Sequence, residues 1–275
     1  MSDPQHPPVP PVSGRDEPRF GSVERKRTLA AAFADQGEDY DRLRPGYPPV
    51  VLTGIFDHLA SPPDGTLIRA VDLGAGTGKL SWALVDRGCE VTAVDTSAAM
   101  LDAARRRDPT NPRFSTHVAP AETTGLPTGS AELVTVAQAW HWFDAEEASA
   151  EITRLLTPGG TLALVWNVLD VSIPWVHRLS RIMHAGDILR EDFMPTVGPG
   201  LELTHRGVHS WEDPMPSGDV IDLARTRSYV ITASEERRQR VLANLDWYLH
   251  EHLEHAPGAV VGVPYRTELF CYRVP

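Results

Sequence analysis

The chain is poor in cysteine, in positive charge and in unbroken apolar sequence. Among 275 residues only Cys89 and Cys271 carry thiols, far apart and each inside an apolar segment. That argues against a disulfide framework and predicts two buried, reduced thiols of the kind found in cytosolic proteins. Lys and Arg number 26 against 37 Asp and Glu, a formal net charge of -11. No basic excess is present to meet a phosphate backbone, so no nucleic-acid partner is expected. No apolar run approaches the roughly 20 residues of a membrane span. The N-terminus also lacks the charged-then-apolar order of a secretory signal. The expectation is a cytoplasmic protein with no membrane partner.

Residues 1–21 are Pro-rich and polar, with almost no core formers. They read as a disordered tail. From residue 22 to 275 the chain reads as one domain, large enough to bury a substantial core. Helices are predicted over Glu24–Ala34 and from Pro49 to Leu59, the latter opened by proline. Strands are expected at Leu67–Leu73, Glu90–Val94, Phe114–Val118, Ala131–Ala137 and Thr161–Trp166. Between them fall helices at Leu80–Arg87, at Ala98–Arg107 with Ser97 as cap, and at Glu146–Leu156, ended by Pro158-Gly159-Gly160. Short apolar strands alternating with helices predict an α/β fold, a parallel sheet covered on both faces. After Asn167 the pattern loosens. Helices are read near Pro174–Leu189, at Asp222–Ser228 and over Ser234–His255, with an alternating strand near Leu203–Trp211. Val260–Arg273 is extended and is expected to finish the sheet as a late antiparallel strand.

The most informative segment is Ala70-Val71-Asp72-Leu73-Gly74-Ala75-Gly76-Thr77-Gly78-Lys79-Leu80. An apolar strand ends in a turn with glycine at 74, 76 and 78, where the backbone can lie directly against a ligand. Asp95 closes the next apolar run, a place from which an acidic side chain can hold the two hydroxyls of a ribose. The dinucleotide fingerprint G-x-G-x-x-G would need glycine at 79, and Lys79 stands there. The turn therefore suits a nucleotide-like ligand without a pyrophosphate, which would otherwise demand the free N–H groups of a helix start.

Val71-Asp72-Leu73-Gly74-Ala75-Gly76-Thr77-Gly78 resembles the first motif of the class I S-adenosylmethionine-dependent methyltransferases. Two further segments resemble a small-molecule branch of that family which includes the trans-aconitate methyltransferases. They are Tyr40-Asp41-x-x-Arg44-Pro45-x-Tyr47-Pro48 and Ala139-x-His141-Trp142-Phe143-Asp144. The resemblance covers about Phe33 to Asn167 and is looser beyond it. It implies a Rossmann-like, doubly wound, mostly parallel seven-stranded sheet with a late antiparallel strand. It also implies a cofactor core at 33–167, a helical cap on the acceptor side within 168–275, and S-adenosylmethionine as cofactor.

Residue by residue, the resemblance implies that Asp72 helps to anchor the methionine ammonium and that Gly74, Ala75, Gly76, Thr77 and Gly78 form the cofactor turn. Asp95 with Thr96 meets the ribose, Met100 the adenine face, and Ala121 with Glu122 the adenine edge. Tyr40 and Arg44 lie in a lid, Arg44 offering a planar fork for the methionine carboxylate, and Gln138 contacts the cofactor. Trp140, His141 and Trp142 are candidates for the acceptor wall, since aromatic rings around a histidine are costly to leave in a plain loop. His141 is also the candidate general base.

The expected reaction is methyl transfer to a small molecule, at an oxygen of a carboxylate or hydroxyl. A nicotinamide-dependent oxidoreductase and a non-catalytic binder of the same cofactor are the alternatives. Lys79 and the lack of a Tyr-x-x-x-Lys pattern weigh against the first. His250, His252 and His255 do not share one helix face, so no metal site is expected.

Overall fold

A computed structural model describes residues 41–59, 67–185 and 192–274. The tail at 1–21, the helix expected at Glu24–Ala34 and the lid residue Tyr40 lie outside those residues. The described chain contains α1 (Pro49–Asp57), β1 (Arg69–Leu73), α2 (Lys79–Asp86), β2 (Glu90–Asp95), α3 (Ala98–Arg106), β3 (Phe114–Val118) and β4 (Ala131–Ala137). It continues with a 3-10 turn (Trp140–Trp142), α4 (Ala145–Leu155), β5 (Leu156–Leu169), α5 (Pro174–Ile182) and β6 (Glu202–Pro216). Then come α6 (Ser217–Asp222), a 3-10 turn (Leu223–Thr226), α7 (Ser228–Ile231), α8 (Glu235–Trp247), a π-type turn (Tyr248–His252) and β7 (Val260–Arg273).

The strands form one seven-stranded sheet in the order β3-β2-β1-β4-β5-β7-β6. β1 pairs in parallel with β2 on one side (Leu73 opposite Val94) and with β4 on the other (Val71 opposite Val134). β2–β3 and β4–β5 are parallel as well. β1, β4 and most of β5 are largely apolar and buried, as parallel strands covered by helices must be, whereas β3 at the sheet edge has no fully buried residue. The chain winds outward from β1 through β2 to β3, then returns to place β4 on the other side of β1. The carboxyl ends of β1 and β4 thus flank the point where strand order reverses, where open α/β sheets bind ligands.

The last strands break the parallel pattern. The Val274 N–H donates to the Gly160 carbonyl and the Asp170 N–H to the Pro264 carbonyl, so numbering rises on β5 as it falls on β7. The Thr204 hydroxyl reaches the Cys271 carbonyl while Arg206 pairs with Glu268, which gives β6 and β7 the same antiparallel sense. Val260–Arg273 is the late antiparallel strand expected, and it completes the sheet from within: β7 lies between β5 and β6. Its Leu269, Phe270 and Cys271 are fully buried, whereas β6 alternates between exposed and half-buried positions along most of its length, the signature of an edge.

β5 also begins earlier than expected. α4 stops at Leu155, and Leu156 already pairs with Ala131. Two residues on, Leu133 pairs with Thr161, so Thr157-Pro158-Gly159-Gly160 loops out as an irregularity within the strand.

The chain divides into two compact units, and β5, β6 and β7 each contribute to both. One comprises 34–167, 194–209 and 267–275 and holds a core of Val51, Ile55, Leu80, Trp82, Leu84, Val91, Leu133, Val165, Leu269 and both cysteines. Burying each large aliphatic side chain contributes about 1.5–3 kcal/mol. Trp82 stacks on Phe114 at 4.3 Å and donates its indole N–H to the Ala104 carbonyl, which ties α2 to α3 and β3.

The other unit comprises 168–193 and 210–266. Val176, Leu179, Val220, Leu223, Leu245 and Leu249 are buried within it, and the Tyr248 hydroxyl donates to the Trp175 carbonyl. Its helices differ from those expected. The short α6 begins at Ser217, ahead of Asp222, and α8 ends at Trp247 before a wider turn. There the His250 ring nitrogen meets the His255 carbonyl and His252 stacks against Trp247. No described helix is long and apolar enough to cross a membrane.

Candidate active site

Four segments meet at the carboxyl ends of β1, β2 and β4, all within the first unit. The glycine turn leaves β1 at Leu73. The N–H groups of Gly74 and Ala75 both donate to the Val94 carbonyl, which pulls the turn over the end of β2. Gly74 has φ +68°, and a Cβ there would stand 2.5 Å from the Ala139 Cβ and 3.1 Å from the Phe143 ring. The turn and the loop after β4 are therefore in direct contact, and only glycine fits between them. Gly76 differs: its φ is +56°, yet a Cβ would meet nothing within 4 Å. Its open side is the face of the turn toward which a ligand can lie.

Asp95 ends β2. Its Oδ2 accepts the Gly76 N–H at 2.9 Å and its Oδ1 the Ser97 N–H at 2.8 Å. Burial raises its pKa, and bonds from Ser97, Gly76 and Thr96 counter part of that rise. Thr96 itself is exposed. The Ser97 hydroxyl accepts the Met100 N–H and starts α3, which places buried Met100 one turn behind Asp95.

Asp72, expected to help anchor the methionine ammonium, lies at the end of β1 beneath the turn. It is 1% exposed, and its oxygens accept hydroxyl bonds from Ser81 at 2.5 Å and Thr135 at 2.7 Å. Burial first, and the Asp95 charge among lesser causes, hold its pKa up at about 6 against the two hydroxyl bonds. In this arrangement Asp72 ties β1 to α2 and β4 beneath the glycine turn. Thr77 is likewise engaged: its hydroxyl donates to Asp41 Oδ1 at 2.9 Å.

The loop after β3 carries buried Ala121 and half-buried Glu122. Glu122 Oε1 accepts the backbone N–H of Asp144, the residue that caps α4 through the N–H groups of Glu146 and Glu147. Two residues beyond Glu122, Thr124 donates both its N–H and its hydroxyl to Glu151 Oε1. Arg154 grips the same carboxylate and holds its pKa down at about 2.

The loop after β4 starts at Gln138, a non-glycine residue at φ +59°. Such a backbone costs about 1 kcal/mol or more and persists where surroundings enforce it. Here the Gln138 N–H donates to the Val165 carbonyl and its side-chain amide to the Asn167 carbonyl at 2.6 Å. Next comes the Trp140–Trp142 turn. Trp140 is buried and its indole N–H donates to the Thr196 carbonyl, so it anchors the turn from within. His141 and Trp142 are half-buried, their rings tilted against each other at 5.2 Å. Of the three candidates for the acceptor wall, these two retain accessible surface.

Arg44 is half-buried in the segment before α1. That segment is fastened at Gly46, whose carbonyl accepts from Asn167 Nδ2, while Thr267 donates to Asn167 Oδ1. Asn167, 2% exposed, thus joins the segment before α1, the loop after β4 and β7.

Known proteins show which family the chain belongs to. A family model described as a methyltransferase domain matches residues 71–164, from within β1 to within β5. An uncharacterised methyltransferase of Mycobacterium tuberculosis is 35% identical over 243 residues, 88% of this chain and 95% of its own length. The chain belongs to the class I S-adenosylmethionine-dependent methyltransferases. A malonyl-[acyl-carrier protein] O-methyltransferase of Enterobacter lignolyticus is 34% identical over 183 residues, 64% of this chain and 69% of that protein. Among solved structures, a protein of Anaeromyxobacter dehalogenans provisionally assigned as a type II methyltransferase superposes with a TM-score of 0.65 at 27% identity. That match covers 84% of this chain and 98% of the other.

The methyltransferase uses S-adenosylmethionine, and its turn fits that cofactor: the open side of Gly76 is a cradle that any Cβ would fill, beside the Asp95 carboxylate. The nicotinamide alternative falls with the family assignment. Among the described residues no cluster of His, Cys, Asp or Glu could hold a metal ion. Sequence reasoning gave no role to Asp41, Ser81, Thr135 or Asn167. Thr135 was the findable one, a hydroxyl in the middle of the otherwise apolar Leu133-Val134-Thr135-Val136.

Proposed function

We propose that this methyltransferase acts on an oxygen of a small-molecule acceptor, a carboxylate or a hydroxyl. The observation that carries the reading is the Trp140–Trp142 turn, which presents half-buried His141 and Trp142 from a loop packed against the glycine turn at Gly74. An imidazole there suits deprotonation of a hydroxyl, and a carboxylate acceptor needs no base. The O-methyltransferase among the relatives supports oxygen as the methylated atom. We assign Gly74–Gly78 to cradling the cofactor, Asp95 with Thr96 to the ribose, and Met100, Ala121 and Glu122 to the adenine. Arg44 and Tyr40 are assigned to the methionine carboxylate, and Gln138 to the cofactor. Residues 168–275 are assigned to acceptor recognition.

Bound S-adenosylmethionine supplies an activated methyl on a sulfonium, which leaves the chain's own residues to align the acceptor and exclude water. The test is a panel of carboxylic acids, phenols, alcohols and amines incubated with S-adenosylmethionine, with products read by mass spectrometry. Methyl esters or ethers are expected. Products methylated only at nitrogen or carbon would overturn the oxygen assignment.

A further inference from the structure

Lys79 occupies the position where a dinucleotide fold needs glycine, and its ammonium has a partner in this fold: Asp41 Oδ1 at 3.6 Å. The same oxygen accepts the Thr77 hydroxyl at 2.9 Å. Thr77 lies inside the glycine turn, between Gly76 and Gly78, and is 7% exposed. Asp41 lies in the segment before α1, which also contains Arg44 and is fastened farther along by the bond from Asn167 to the Gly46 carbonyl. The segment is thus held at both ends, at one end by the turn that cradles the cofactor.

We propose that Asp41, Thr77 and Lys79 form a latch that closes the 41–48 segment onto the cofactor turn, with Asp41 a positioning residue that sets how long S-adenosylmethionine and its demethylated product stay bound. The proposal rests on the assignment of the 74–78 turn to the cofactor.

The chemistry favours such a latch. Asp41 is half-exposed, so its ion pair with Lys79 contributes little alone and weakens with salt. The Thr77 hydroxyl adds a directed, charge-assisted bond that only a carboxylate close to the turn can accept. A turn with three glycines has little order of its own. A contact that orders turn and segment before the ligand arrives lowers the cost of binding, and its breakage precedes release.

The experiment measures association and dissociation rates of S-adenosylhomocysteine on the full chain, wild type and variants. Asp41→Ala and Thr77→Val should each speed dissociation about tenfold, the value of a hydrogen bond to a charged group. Association should change less than about threefold. The double variant should be no faster than Asp41→Ala, which already removes both the Thr77 bond and the Lys79 ion pair. Thr77→Ser, which keeps the hydroxyl, should behave as wild type, a rescue that distinguishes the latch from general support of the turn. Rising salt should speed release from wild type more than from Asp41→Ala. Dissociation from Asp41→Ala within twofold of wild type, or single effects that multiply in the double variant, would overturn the latch. Failure of the wild-type chain to bind S-adenosylhomocysteine would instead overturn the assignment of the turn, and the latch with it.

Discussion

Asp95 holds Gly76. The carboxylate at the end of β2 accepts the N–H of the central glycine of the β1 turn at 2.9 Å, although the two residues belong to different strand-to-helix connections. One oxygen fixes the turn and the other starts the loop into α3 through the Ser97 N–H. An ionised carboxylate has lone pairs beyond these two, so Asp95 can shape the cradle and still accept from ribose hydroxyls.

Asp95→Ala should therefore weaken S-adenosylmethionine binding about 10- to 100-fold, through loss of the ribose acceptor and of the turn's anchor together. Calorimetric titration measures it. Unchanged affinity would remove Asp95 from the site.

Gly74 and Gly76 should respond differently to the same change. Alanine at 74 drives a Cβ into Ala139 and Phe143, and should lower stability by about 1–3 kcal/mol on top of the left-handed backbone cost. Alanine at 76 meets no neighbour, so it should cost only about 1–2 kcal/mol for its backbone while abolishing cofactor binding. Thermal unfolding and calorimetry on both variants separate the effects. Tight binding by Gly76→Ala would contradict the open side as the cofactor's place.

Two carboxyl groups should shape stability against pH with opposite slopes. Glu151, held down at about 2 from 4.5 in the first place by Arg154, contributes stability that is present above about pH 4.5 and lost as pH falls through about 2. Asp72, raised from 3.8 to about 6 by burial, acts the other way. The folded chain holds its proton more tightly, so its contribution is full below about pH 3.8 and is lost as pH rises through about 6, about 3 kcal/mol in all. Urea unfolding midpoints for Asp72→Asn should lose the decline between about pH 4 and 6. Those for Glu151→Gln should lose the rise between about pH 2 and 4.5 and be lower at neutral pH.

His141→Ala should slow methylation of hydroxyl acceptors about 10²- to 10⁴-fold if the imidazole takes the proton, with cofactor affinity nearly unchanged. Carboxylate acceptors should be spared. Initial rates with one acceptor of each class decide it, and equal slowing of both would make His141 a wall residue.

Much of this was legible along the chain. The strands β1 to β4 and the helices between them follow from local apolar runs, a serine cap and glycine stops, all short-range signals. The turn proposed for the cofactor was legible as a place where a ligand can lie against the backbone, because three glycines in five positions at a strand end have few other uses. The second half was harder. The placement of β7 between β5 and β6 depends on which strand has both faces covered, which only the burial of Phe270 and Cys271 in the fold reveals. The side-chain partners were hidden for a similar reason. Asp72 meets Ser81 and Thr135, and Asn167 meets Gly46 and Thr267, across separations that no local pattern encodes.

By itself the sequence determined an α/β pattern with a three-glycine turn at a strand end, because glycine spacing and apolar periodicity act within a few residues. Its resemblance to the class I methyltransferases implied the cofactor. Only the tertiary structure decided what each polar group does there. It turned Asp72 inward, gave the Thr77 hydroxyl and Lys79 to Asp41, sank Trp140 onto Thr196 and left His141 and Trp142 half-buried. A buried polar atom must find a partner, and the sheet brings that partner from a distant part of the chain.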